Sequence, residues 1–151
     1  MKFGPVLRYG GIALFVLYAL TYLIPIDRTN PPVGREVDWI SAETADLARR
    51  ACYDCHSNET VWPWYSYISP ISFRIADHVD HGRHHLNFSE WDQPQDTHHL
   101  IDVIEDGEMP LSDYLRAHPE ADLTDAEKAT LIAGIKETLD QDPPPEKEHG
   151  H

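Results

Sequence analysis

The chain contains two cysteines, and a histidine follows the second directly: Cys52-Tyr53-Asp54-Cys55-His56. Two sulfurs three residues apart lie on one side of a helical turn. From there they reach the two vinyl groups of one porphyrin and form thioethers. The next residue, His56, is carried under the iron as proximal ligand. The pattern predicts one covalent haem c on Cys52 and Cys55. Two rival readings use the same cysteines. A redox pair of thioredoxin type needs a βαβ setting, and no strand pattern surrounds this one. A structural zinc needs two further ligands, which ten histidines could supply.

Between Tyr9 and Ile26 the chain carries no charge. The stretch is at the lower limit for a membrane-spanning helix. Lys2 and Arg8 precede it, which favours a cytoplasmic N-terminus. Residues 1–28 are therefore expected to form a single-pass anchor in a bacterial inner membrane, with the rest in the periplasm. The competing reading is a cleaved signal peptide, but no clean A-x-A site follows the apolar run. Both readings export the chain, in agreement with covalent haem attachment outside the cytoplasm.

The formal charge of the whole chain is -14. Residues 1–28 hold Lys2, Arg8 and Arg28 against Asp27, a net +2, which leaves -16 on residues 29–151. Such a surface repels nucleic acid and suits a redox partner with a basic docking face. A merely soluble surface is the plainer alternative.

Residues 29–40 contain Pro31, Pro32 and Gly34 and read as a spacer. Ser41 is placed to cap a helix that buries Leu47, Ala48 and Ala51 and ends at the cysteines. Pro63 and Pro70 break the next stretch, where Trp62, Trp64, Tyr65 and Tyr67 could wall a haem crevice or serve as general core. A helix is expected over 71–86, with Ile71, Ile75 and Val79 at helical spacing. It carries His78, His81, His84 and His85, which are either metal or sixth ligands or decoration of a solvated face. Asn58 and Asn87 match glycosylation sequons, read here as coincidence. Residues 87–95 look like a loop. Asp96 is a candidate cap for a helix burying Leu100, Ile101 and Ile104, with His98 and His99 exposed near its start, and Gly107 is the expected stop.

Met109 follows in Gly107-Glu108-Met109-Pro110. A thioether opposite the proximal histidine favours ferrous iron and raises the potential, so Met109 is the candidate sixth ligand. Its plainer role is core filler. Thr124-x-x-Glu127 forms a capping box for a helix with Leu131, Ile135 and Leu139 on one stripe. Residues 141–151 read as a disordered tail, in which His149 and His151 could bind adventitious metal.

The order of capped helix, C-x-x-C-H, aromatic-proline segment, Met-Pro loop and capped C-terminal helix resembles a class I cytochrome c. More narrowly, Cys52 to Thr60 followed by Trp62-Pro63-Trp64-Tyr65, His85 to Trp91, and Gly107-Glu108-Met109-Pro110 resemble the bacterial haem-binding domain family. The resemblance covers about residues 40–140. It implies an all-α, cytochrome c-like domain over 41–140 around one covalent haem, with Cys52 and Cys55 as attachment sites, His56 as axial ligand and Met109 as sixth ligand.

Two functions are compatible with these residues. With iron closed by His56 and Met109, the chain passes electrons and has no open position for substrate. With Met109 absent or weakly bound, the sixth position takes a small ligand and the chain is a sensor. A peroxidase is a poorer option, because there is one haem motif and no second redox centre. A haem-stabilised scaffold is a further option. Iron coordination discriminates among them.

Overall fold

The computed structural model describes residues 4–147, and Lys2, His149 and His151 lie outside them. Among the described residues the chain is all-helical. Helices α1 (Gly4–Thr21), α2 (Ala42–Ala51), α3 (Tyr53–His56), α4 (Ile71–His85), α5 (Leu100–Glu105), α6 (Ser112–Ala117) and α7 (Asp125–Gln141) are joined by loops. Short 3-10 turns stand at Trp64–Tyr67 and Pro119–Ala121. The chain divides into two compact units. One is built from residues up to 29 with 62–78, the other from 30–61 with 79 onward.

In the first unit α1 leaves its described side chains in solvent, with Leu14 and Phe15 each 70% exposed. The single-pass transmembrane anchor expected here is not found. Among the described residues no helix is long and apolar enough to cross a membrane. Arg8 lies inside the helix, and the chain leaves it through tight turns from Tyr22 to Ile24, just before Pro25. The proline-flanked aromatic stretch forms only a 3-10 turn, as Pro63 and Pro70 require. Trp64 and Tyr67 are exposed, and Arg28 lies over the Tyr67 ring at 4.6 Å.

The second unit holds the core. Ser41 caps α2 by accepting from the Thr44 N–H, and Leu47, Ala48 and Ala51 are buried on one face, as their spacing dictates. The capping box at Thr124 and Glu127 is present and opens α7, which buries Leu131 and Ile135. Gly134 and Thr138 are buried too, because α2 and α7 pack closely. A Cβ on Gly134 would stand 2.1 Å from Thr44 Oγ1. Gly107 ends the α5 segment with φ +71°. α5 itself is shorter than expected. It begins at Leu100, and Asp96 is not its cap.

Three segments expected to be loose are packed. Val37 lies in the core, and the stretch around it pairs with 88–91 through Gly34 N–H to Ser89 O, Val37 N–H to Phe88 O and Trp91 N–H to Arg35 O. The loop 87–95 supplies Phe88 and Trp91, the two largest fully buried side chains. The C-terminal segment Asp142–Lys147 is anchored by the Trp91 indole donating to Asp142 O at 2.7 Å and by Gln95 pairing with Pro145 and Lys147.

Candidate haem site

Cys52 caps α2, its N–H donating to Ala48 O at 2.8 Å, and starts the single turn of α3. The Cys55 and His56 N–H groups both return to Cys52 O, at 3.1 and 2.9 Å. The fold therefore brings Cys52, Cys55 and His56 together on one turn. Both cysteines are free thiols. Burial pushes Cys52 up to about 12 and Cys55 up to about 11, so both are neutral at physiological pH.

His56 is oriented from behind. Its Nδ1 lies 3.1 Å from Gly82 O and 3.1 Å from Leu86 O. Two acceptor carbonyls require Nδ1 to carry the proton, which leaves the Nε2 lone pair to bind a metal. Burial lowers the His56 pKa, against the opposing pull of the two carbonyls, and keeps the ring neutral as a ligand must be. The carbonyls reach the imidazole because the second half of α4 lies on the motif's backbone. A Cβ at Gly82 would stand 2.4 Å from Cys55 O. Phe88 packs against this turn, its ring stacked on Tyr53 with centroids 5.4 Å apart and 6.3 Å from the His56 ring.

Met109 belongs to a separate segment, half-buried, with its N–H donating to Val103 O at 2.9 Å. The helix that follows it, α6, is tied to the motif. Tyr114 Oη donates to Asp54 Oδ2 at 2.8 Å, and Asp54 Oδ1 also accepts from the Val61 N–H. Tyr114 stacks on His118 at 4.3 Å.

Gly82, Leu86, Asp54 and Tyr114 were not singled out from the sequence. Gly82 carried a signal, since a glycine inside a helical pattern usually marks a close approach. A backbone carbonyl carries none. The other histidines do not gather: His81, His84, His85, His98 and His99 are exposed, and His85 faces Asp96 at 3.6 Å. Among the described residues no group of three or more histidine, cysteine or acidic side chains is placed to hold a metal ion, so the zinc alternative finds no further ligands. Asn58 and Asn87 are buried and bonded to each other at 2.9 Å, which closes both sequons to modification. Two adjacent thiols and an imidazole with its outer nitrogen available are the donor set that a covalently held haem requires.

The sequence profile of one family, described as a haem-binding domain, matches residues 16–137. No curated protein and no solved structure matches the chain.

Proposed function

The chain belongs to the haem-binding domain family, and from that premise we propose that it is an exported, periplasmic monohaem c-type cytochrome that transfers electrons. The observation that carries the proposal is the His56 imidazole, with Nδ1–H held by two carbonyls and Nε2 available, on the same turn as two free thiols. Cys52 and Cys55 would hold the haem covalently, and His56 and Met109 would hold its iron. Bound haem c supplies a one-electron iron couple.

The protein's own residues set the conditions for that couple. The Gly82 and Leu86 carbonyls increase the basicity of His56 and fix its plane. Phe88, Tyr53 and Trp91 exclude water from the His56 side and favour the less charged state. Tyr114 holds the segment after Met109 against the motif, so the thioether stays in place. With His56 and Met109 both holding the iron, no position would be left for a substrate, and the chain would act as a carrier. Its acidic surface would steer it to a basic redox partner.

Absorption spectra of the oxidised and reduced protein, with a pyridine haemochrome assay, test the proposal. A c-type spectrum with a weak far-red ferric band, the mark of methionine ligation, is the expected result. A high-spin spectrum that shifts with carbon monoxide would replace electron transfer by ligand sensing. Replacing Cys52 and Cys55 with alanine should abolish covalent pigment, and unchanged pigment in that variant would refute haem attachment.

A further inference from the structure

A cavity of about 180 Å³ lies in the first unit at the foot of α1, lined by Tyr22, Ile24, Ile26, Arg28, Ser69 and Ser72 among others. Its wall carries a fixed cation. Arg28 Nε and one terminal nitrogen donate to Ser66 O at 2.9 and 2.7 Å, and the guanidinium lies over Tyr67. These bonds go to a carbonyl, which fixes the position of the Arg28 guanidinium and leaves its positive charge in place. The same wall carries an unmet polar group: Ser69 Oγ is buried and has no hydrogen-bond partner among the described residues. A buried hydroxyl in that state costs free energy that a ligand oxygen would recover.

Two further observations identify the ligand's class. Most of the described side chains of α1 are apolar and exposed, Tyr9, Leu14 and Leu17 among them. Charge is also partitioned along the chain. Residues 1–29 and 62–78 carry Lys2, Arg8, Arg28 and Arg74 against Asp27 and Asp77, a net +2, which leaves -16 on the remainder. An anion with an apolar tail is complementary to the cationic unit and its greasy helix, and it would be repelled elsewhere on the molecule.

The geometry points to a binding site for the phosphate headgroup of an anionic membrane lipid, with Arg28 on the phosphate, Ser69 donating to one of its oxygens, and the acyl chains along α1. The proposal is independent of haem ligation.

Co-flotation of the full-length holoprotein with phosphatidylcholine vesicles, with and without phosphatidylglycerol, tests it. The expected preference for phosphatidylglycerol is about fivefold, and it should persist in salt that screens diffuse surface charge. Ser69→Val leaves net charge unchanged and should remove most of the preference, as should Arg28→Gln. Three results would overturn the site: a preference that vanishes in salt for the unaltered protein, full preference in Ser69→Val, or release from vesicles by soluble glycerophosphate, which would make a free phosphate ester the ligand. The haem spectrum of each variant reports that the chain is folded.

Discussion

Tyr114 is the residue whose contribution is most specific. Its hydroxyl joins the segment after Met109 to Asp54, between the two cysteines. A hydrogen bond to a carboxylate is worth about 1.5–3 kcal/mol, equivalent to about one to two pH units in a competition for a ligand. Tyr114→Phe is expected to leave covalent haem intact and to make the far-red band disappear at a pH lower by about one unit. A band as persistent as in the parent protein would show that Tyr114 does not position Met109. The thiols give a second prediction at this scale. In the haem-free chain both cysteines have pKa values raised by burial, Cys52 from 9.0 to about 12. Below 9 they are protonated whether the chain is folded or not, and their preference for the folded state is fully present. As the pH rises from there through about 11 and 12 the unfolded chain ionises first, and that stability is lost. Denaturant midpoints of the haem-free chain should therefore fall above pH 9, and the fall should be smaller in the double alanine variant.

Helices meet closely at two glycines. Gly82 lets α4 lie on the motif, where the nearest atom to an added Cβ is the Cys55 backbone oxygen, which cannot rotate away. Gly82→Ala should cost about 1–3 kcal/mol, read as a drop of a few degrees in Tm, and should disturb the His56 bond to the Gly82 carbonyl. Gly134 lets α7 lie on α2, and there the obstacle is the Thr44 side chain. Gly134→Ala should destabilise the fold, and adding Thr44→Ala should restore part of the loss. A sum of two independent losses in the double variant would show that the two positions are not in contact. These helices follow from local signals. Ser41, the apolar face at Leu47 to Ala51, and the Thr124 box are visible in sequence because capping and helical periodicity are properties of consecutive residues. The late start of α5 at Leu100 and the failure of Asp96 to cap it were not visible, since the Asp96 N–H donates instead to His85 O at 2.9 Å.

At the scale of the whole molecule, the segments without regular structure hold the core together. The Trp91 indole reaches Asp142 O, and Arg35 forms an ion pair with the Asp142 carboxylate. A chain ending at Gln141 leaves that buried indole N–H unpaired and should lose about 1–3 kcal/mol, seen as a lower Tm and a changed tryptophan emission. An unchanged Tm would mean that the C-terminal segment adds nothing to the core. Composition marked these stretches as proline-rich and polar, which says little about where they pack. Their side chains are bonded to residues far away in the chain, and that information is absent from any local window.

The amino-acid sequence alone determined the turn that joins Cys52, Cys55 and His56, the helix starts at Ala42 and Asp125, the all-α class and the family. Each is written in neighbouring residues, as a spacing, a cap or a period. Only the tertiary structure decided which nitrogen of His56 is available, because the Gly82 and Leu86 carbonyls lie 26 and 30 residues away. It also decided that Phe88 and Trp91 join the core from a loop. The physical reason is the same in each case: burial and hydrogen-bond partners depend on which distant segments share space, and a one-dimensional pattern does not record them.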